Sequence, residues 1–241
     1  MKRAVRISAA ALALCLTAPA QAATFVVTNG GSATFAASQV AAEPGDIVVT
    51  FNDGLNFPAG IAVTGINAAI AEGSQAPDFI EPFGSDGSPY LAVFGSPVPG
   101  FPDFENREGF ATIQDVTGQG YDFLSLYLGS IDTYNTIDLL STTGDLLASF
   151  GGASFLGGAS GNTVDPATNR LITFAREDGE QRIGGVTIRS TANSAEADNV
   201  RLFNAPVPEP ATWALMLAGF GIVGAGMRRR SQPARGHAGF A

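Results

Sequence analysis

The chain has almost none of the residues on which most catalytic centres depend. Its 241 residues include one cysteine (Cys15), one histidine (His237), one lysine (Lys2) and one tryptophan (Trp213). None of the four falls within residues 23–207, so this central part has no thiol, imidazole or lysine amine. That excludes disulfides, Ser-His-Asp and Cys-His nucleophile systems, Schiff-base lysines and zinc sites built on His or Cys. We therefore predict that the protein is not an enzyme.

Positive charge is also scarce in this central part. Residues 23–207 contain six arginines against 21 acidic residues, a formal charge of −15. Nucleic-acid binding requires a basic surface, so no nucleic-acid partner is expected. An acidic surface favours solubility and self-repulsion, and it would suit divalent cations. No Gly-x-Gly-x-x-Gly or Gly-x-x-x-x-Gly-Lys pattern is present, so no nucleotide-binding loop is indicated.

The sequence pattern of the central part is that of β-structure. Short segments rich in Val, Ile, Phe and Thr recur between clusters of Gly, Pro, Asn and Asp, which is typical of strands joined by turns. We predict a mainly β fold, an antiparallel β-sandwich of the jelly-roll or lectin-like kind. The predicted strands are 25–28, 47–51, 61–66, 90–94, 110–116, 121–128, 137–140, 146–150, 171–175, 185–189 and 200–203.

Three segments give more specific structural predictions. In 121–128, Leu124, Leu126 and Leu128 alternate with other bulky side chains, which predicts a central strand with both faces covered. The five residues 141–145 include Gly144 and predict a hairpin loop. The alanine-rich segment 66–72 predicts one or two helical turns.

The N-terminus has the features of a secretory signal peptide. Lys2, Arg3 and Arg6 form a basic region, and an apolar stretch (7–18) follows. Ala20-Gln21-Ala22 is a small-residue cleavage pattern, so cleavage is expected after Ala22. The secretion translocon is therefore a predicted partner.

The C-terminus combines a short motif, an apolar run and a basic cluster. Pro208-Glu209-Pro210 precedes an uncharged run at 211–227, and Arg228, Arg229 and Arg230 follow. A transmembrane helix needs ~20 residues and tolerates ~17, and cytoplasmic flanks are rich in Lys and Arg. We predict a single transmembrane helix at 211–227 that holds the protein at the inner membrane before processing, with its C-terminal side in the cytoplasm.

This C-terminal arrangement resembles the PEP-CTERM sorting signal, in its PEPxxWA variant. The resemblance implies processing by exosortase, a membrane protease of Gram-negative bacteria that make exopolysaccharide. It implies delivery to the cell surface or the extracellular matrix of a biofilm. The residues that carry it are Pro208, Glu209, Pro210, Trp213, Ala214, Gly219, Phe220, Gly221, Arg228, Arg229 and Arg230.

Two further stretches resemble exosortase-dependent surface proteins. The stretch 126–137, Leu-Tyr-Leu-Gly-Ser-Ile-Asp-Thr-Tyr-Asn-Thr-Ile, is similar to a motif of these proteins. The segment 195–202, Ala-Glu-Ala-Asp-Asn-Val-Arg-Leu, is similar to the closing strand of their lectin-like or carbohydrate-module-like β-sandwiches. The resemblance implies a fold more than an activity.

These features predict four regions. Residues 1–22 are the signal peptide, with its helix, and 23–205 the extracytoplasmic β-sandwich. Residues 206–230 are the sorting signal, and 231–241 a cytoplasmic tail. The predicted role is structural or adhesive, associated with exopolysaccharide. The alternative is a carbohydrate-binding module, assisted by calcium.

Candidate ligand groups in the central part are carboxylates and tyrosines. A polysaccharide-cleaving enzyme would need two carboxylates, and two acidic clusters exist. Both are most simply solvated turns, and residues 177–180 are predicted to be a hairpin tip between the strands 171–175 and 185–189. Asp198 and Asn199, beside the last strand, are the calcium candidates, because calcium is bound by oxygen ligands. The acidic clusters are Asp103, Glu105, Glu108 and Glu177, Asp178, Glu180; the tyrosines are Tyr90, Tyr121, Tyr127 and Tyr134.

Overall fold

The computed structural model describes residues 25–29, 42–76, 78–95, 108–155, 159–165, 167–192, 194–204 and 210–230. Within these ranges the chain forms twelve strands, one 3₁₀ turn (Gly152–Ser154) and one α-helix, α1 (Pro210–Arg230). The strands are β1 (Phe25–Asn29), β2 (Ile47–Val49), β3 (Ile61–Ile66), β4 (Ala68–Ala71), β5 (Tyr90–Phe94), β6 (Gly109–Asp115), β7 (Phe123–Gly129), β8 (Asn135–Ser141), β9 (Leu146–Gly151), β10 (Arg170–Arg176), β11 (Ile183–Ser190) and β12 (Ser194–Phe203).

The strands form two antiparallel sheets that pack face to face. The seven-stranded sheet has the order β1-β10-β7-β12-β5-β4, with β2 paired to β12. The five-stranded sheet has the order β3-β6-β11-β8-β9. One hydrophobic core joins them, because Leu124 and Leu126 of the first sheet and Ile113 and Val186 of the second belong to the same buried cluster. The predicted mainly β, antiparallel sandwich is confirmed.

Strand β7 occupies the centre of the seven-stranded sheet, as its sequence predicts. It pairs with β10 on one side and β12 on the other. Leu124, Leu126 and Leu128 all point into the core between the sheets. Tyr127 points to the opposite face of the sheet and is also buried. The bulky side chains on both faces of this segment therefore correctly predicted a strand that is covered on both sides.

Strand β12 is longer than predicted. Its first half lacks large apolar residues, so the sequence pattern did not indicate a strand there. It begins at Ser194 rather than near Val200, and this half pairs with β5. A bulge shifts its register with β7 between Asp198 and Arg201. Asn199 at the bulge has φ +51°, a left-handed conformation that asparagine tolerates better than most residues.

The predicted helical turns at 66–72 are wrong, since Ala68–Ala71 form strand β4. Asn67 (φ +51°) separates β3 of one sheet from β4 of the other, and its carbonyl accepts the N–H of Phe94 at 2.8 Å. Ala68 and Ile70 pack on the core between the sheets, while Ala69 and Ala71 pack on the outer face. Pairing with β5 overrides the helix propensity of alanine, which is weak for each residue.

The structure confirms one predicted connection and corrects another. Residues 141–145 join β8 to β9 as a hairpin, and the Ser141 hydroxyl accepts the N–H groups of Thr143 and Asp145. The acidic turn 177–180 is not a hairpin tip, because β10 lies in the seven-stranded sheet and β11 in the five-stranded one. Sequence alone could not show that the chain changes sheet at this turn.

The C-terminal residues from Asn204 form a separate unit, in which α1 includes the whole predicted span 211–227. The transmembrane prediction is not supported, because no helix in the described ranges is long and apolar enough to cross a membrane. The predicted run is shorter than the usual ~20 residues and contains four glycines. The predicted signal peptide (1–22) and the predicted cytoplasmic tail (231–241) lie outside the described residues.

We expect Leu126→Ala to lower the free energy of unfolding by about 3 kcal/mol, because Leu126 is fully buried and the change leaves a cavity. Urea unfolding of the purified protein measures this difference. Leu146→Ala is the matched control, since Leu146 is 60% exposed, and its effect should stay within about 0.5 kcal/mol. Equal losses in both variants would contradict the assignment of the core.

Candidate functional site

A buried carboxylate, that of Glu196, lies on the outer face of the seven-stranded sheet. Its neighbours Ala195 and Ala197 point into the core, so Glu196 points away from it. It is paired in register with Ala92 of β5 and Gly129 of β7. A glycine and an alanine beside it leave room for the carboxylate and for the chain that covers it.

Four donors hold the Glu196 carboxylate. The Ser130 hydroxyl donates to Oε2 at 2.5 Å, and the Ser194 hydroxyl donates to Oε1. The backbone N–H groups of Ile80 and of Glu196 itself also donate. Burial raises the pKa of Glu196 to about 7, and these hydrogen bonds only partly offset that rise.

The loop between β4 and β5 (72–89, described except for residue 77) covers this carboxylate. Phe79 packs edge-on against Phe94 with ring centroids 5.8 Å apart. The Ser194 hydroxyl is 3.0 Å from the Asp78 carbonyl, and the Tyr90 hydroxyl donates to the Gly73 carbonyl at 2.6 Å. The β4–β5 loop is therefore held to the sheet by apolar contacts as well as by polar ones.

Asn169 connects three segments beside this carboxylate. Its amide oxygen accepts the N–H groups of Phe83 at 3.1 Å and Ser130 at 3.0 Å. Its amide nitrogen donates to the carbonyls of Asn162 and Asp165, both at 3.0 Å. Asn169 thus links the β4–β5 loop, the end of β7 and the loop that precedes β10.

A small polar cavity of about 140 Å³ opens next to Glu196. The Tyr134 hydroxyl is hydrogen-bonded to Asp132, and burial raises the pKa of Tyr134 above its ordinary value, with Asp132 and Glu196 adding to the rise. Gly161 (φ +60°) lies directly against the Asp132 carboxylate, where a side chain would collide. The cavity is lined by Phe79, Ile80, Ser130, Asp132, Tyr134, Gly161, Thr163, Ser194 and Glu196.

The calcium candidates Asp198 and Asn199 lie at the β12 bulge and are both buried. The Asp198 carboxylate accepts the N–H of Asn199 at 2.7 Å, and burial raises its pKa to about 8, with the nearby Asp86 adding to the rise. No group of three or more His, Cys, Asp or Glu side chains in the described part of the chain could hold a metal ion. Among the described residues, this predicted site therefore lacks a set of three such ligands.

In the described ranges, the members of the acidic clusters lie in an exposed turn or beside an arginine. Glu177 and Asp178 are exposed in a turn closed by the N–H of Glu180 donating to the Glu177 carbonyl at 3.1 Å. Glu108 is 3.6 Å from Arg189. Asp103 and Glu105 lie outside the described residues.

Of the four candidate tyrosines, Tyr134 borders the cavity beside Glu196 and the other three are buried. Tyr90, Tyr121 and Tyr127 are at most 2% exposed, so they cannot offer a ring face to a ligand. Burial raises the pKa of Tyr121 to about 12, with Asp115 adding to the rise. Tyr134 is half-buried and lines the cavity beside Glu196.

Sequence reasoning did not identify Glu196, Ser130, Ser194, Asp132 or Asn169 as a site. A usable signal was present, because the stretches 126–137 and 195–202 contain three of these residues and Tyr134. Small apolar residues alternate with Ser194, Glu196 and Asp198, which indicates a strand with one polar face. Their convergence depends on β7 and β12 being neighbours, which no local pattern shows.

Comparison with protein families identifies the C-terminal segment. Residues 206–230 match the PEP-CTERM protein-sorting motif, so the chain carries this motif as its sequence predicts. The motif implies export, processing by exosortase and sorting to the cell surface. The PEPxxWA variant stays a prediction. No curated protein matches the chain.

Solved structures show only a distant likeness to the sandwich. A variant of a family 29 carbohydrate-binding module aligns with 68% of this chain and 96% of its own length, at 10% identity and a TM-score of 0.36. Another variant, complexed with mannohexaose, covers 66% and 92%, also at 10% identity and 0.36. The enzymatically active domain of bacteriophage CBA120 tailspike protein 4 covers 59% and 19%, at 8% identity and 0.33. Likeness at this level carries no inference about binding or catalysis.

We expect stability to fall as pH rises from about 5 to 8, because Glu196 has a raised pKa. Its contribution is fully present below the ordinary glutamate pKa of 4.5 and is lost as pH rises through about 7. Glu196→Gln cannot ionise, so it should gain roughly 3 kcal/mol relative to the natural protein between pH 5 and pH 8. Urea unfolding at both pH values measures this difference.

The control for this experiment is Glu177→Gln, which removes the same charge from an exposed turn. Its pH dependence should follow that of the natural protein. If Glu196→Gln also shows the pH dependence of the natural protein, our expectation that the buried Glu196 carboxylate ionises in this pH range is wrong.

We expect Asn169→Ala to lower the free energy of unfolding by about 3 kcal/mol, because it removes four hydrogen bonds to buried or partly buried backbone groups of three segments. Thermal and urea unfolding measure the loss. Asn56→Ala is the matched control, since Asn56 is exposed and makes one local bond to the Asp53 carbonyl at 3.1 Å. A similar loss in the control would contradict the role of Asn169 as a connector.

Proposed function

We propose that this protein is exported, processed by exosortase at its C-terminal signal, and displayed at the cell surface or in the extracellular matrix. There its β-sandwich has a structural or adhesive role associated with exopolysaccharide. The observation that carries the proposal is the PEP-CTERM motif at residues 206–230. The last strand of the sandwich ends at Phe203, so the motif follows the folded part directly in sequence.

The composition of the sandwich supports a non-catalytic role. Residues 23–207 contain no His, Cys or Lys, so nucleophile systems built on His or Cys and Schiff-base mechanisms have no residues to perform them. The formal charge of −15 in this range favours a soluble surface domain that repels its own copies.

Carbohydrate binding by the sandwich is the second candidate function. The cavity beside Glu196 favours it, because polar side chains converge there around a ring-sized space with the aromatic side chains of Phe79 and Tyr134 at its wall. Such a mixture of apolar walls and a few placed polar groups is typical of small-molecule sites.

We expect replacement of Pro208, Glu209 and Pro210 by alanine to block removal of the C-terminal segment. The mass of the C-terminal peptide of the protein recovered from cells measures where the chain ends. The natural protein should lose the segment in cells that have exosortase and keep it in cells that lack the enzyme. Replacing Pro97 and Pro99 is the control, because this Pro-Val-Pro lies outside the motif and should not affect processing.

The proposal fails on either of two results. One is an intact C-terminus in the natural protein when exosortase is present. The other is unchanged surface display when exosortase is removed, which would show that the motif does not direct sorting in this protein.

A further inference from the structure

The walls of the cavity beside Glu196 mainly accept hydrogen bonds. The hydroxyls of Ser130 and Ser194 donate to Glu196, and the Tyr134 hydroxyl is hydrogen-bonded to Asp132. A serine hydroxyl has one hydrogen and two lone pairs, and an ionised carboxylate has lone pairs only. What these groups can still offer to a ligand is therefore lone pairs, so the ligand must supply hydrogens.

In the part of the chain that the structure describes, no cationic side chain lines the cavity to balance its carboxylates. The described groups that lower the pKa of Glu196 are two hydroxyls and two backbone N–H groups, all of them neutral. Glu196 is 1% exposed, and burying a carboxylate without a cation is costly. A ligand with an ammonium group would supply the missing positive charge beside Glu196 and Asp132, and hydrogens for the remaining lone pairs of the serine oxygens and of Asp132.

The size of the cavity limits the ligand to about one ring. Its volume is about 140 Å³, and an engineered cavity of ~150 Å³ holds one benzene ring. Phe79 and Tyr134 provide apolar surface, and Thr163 adds a hydroxyl. A six-membered ring with hydroxyls and one ammonium group matches this volume and these walls.

We propose that the cavity formed by Ser130, Asp132, Tyr134, Thr163, Ser194 and Glu196 binds one amino-sugar residue through its ammonium group. The ammonium lies near the carboxylates of Glu196 and Asp132, and the ring hydroxyls donate to the serine oxygens. This inference depends on the proposed association with exopolysaccharide only for the source of the sugar. The negative charge and the hydrogen-bond acceptors belong to the cavity itself, whatever the source of the sugar.

The test uses three sugars that differ at one carbon atom. Glucosamine, glucose and N-acetylglucosamine carry an ammonium, a hydroxyl and an acetamide there, on the same ring. Isothermal titration calorimetry on the purified full-length protein at neutral pH measures each dissociation constant. We expect glucosamine to bind at least about ten-fold more tightly than the other two, because only it pairs with the buried carboxylates.

Two variants and one control locate the binding. Glu196→Gln keeps the shape and removes the charge, so glucosamine affinity should fall by about ten-fold. Thr163→Phe places a large side chain in the cavity without altering Glu196, and it should abolish binding. Glu177→Gln removes one charge from an exposed turn and should bind as the natural protein does. Circular dichroism checks that each variant is folded. If Glu196→Gln does not fold, the affinity of Thr163→Phe shows whether glucosamine binds in this cavity.

Three results would overturn the inference. They are equal affinity for glucosamine and glucose, unchanged affinity in Thr163→Phe, and saturable binding of calcium chloride that displaces glucosamine. The last would make the cavity a metal site. Cleavage of the C-terminal segment is measured separately by mass, so failure of the sugar site and failure of the sorting proposal are distinguishable.

Discussion

The Glu196 carboxylate is buried on the outer face of the seven-stranded sheet, and separate parts of the chain meet through it. Ser130 at the end of β7, Ser194 at the start of β12 and Ile80 in the β4–β5 loop all donate to it. A buried carboxylate must be satisfied by donors, because the desolvation cost is otherwise large. The β4–β5 loop supplies one of these donors, and the expected pH dependence follows from the burial of the carboxylate.

Three arginines of the sandwich pair with carboxylates other than Glu196. Arg176 pairs with Asp122 at 2.6 Å, Arg189 with Asp138 at 2.8 Å, and Arg201 with Asp46. These pairs join neighbouring strands or fasten the segment before β2 to β12. In a domain with so many more carboxylates than arginines, the carboxylate at the centre of the outer face is held by neutral donors. That is why burial dominates its pKa.

The chain thus combines a folded domain and a sorting motif, and different observations support each of them. The sorting motif is a short stretch of defined residues that can be recognised from the sequence alone. The domain is a sandwich whose distant structural likenesses carry no functional inference. The chemistry of the domain can therefore be argued only from its own residues, and the clearest such chemistry lies around Glu196.

The sequence by itself determined the sorting motif, the absence of His, Cys and Lys from residues 23–207 and the β class of the fold. Alternation also placed β7 correctly, because the period of a strand is visible in adjacent residues. Local patterns predicted the wrong structure where strand pairing determines it. At Ala68–Ala71, pairing with β5 makes an alanine-rich segment a strand. Only the tertiary structure brought Ser130, Asp132 and Glu196 to one cavity, because their proximity depends on β7 and β12 being neighbours across more than 60 residues of chain.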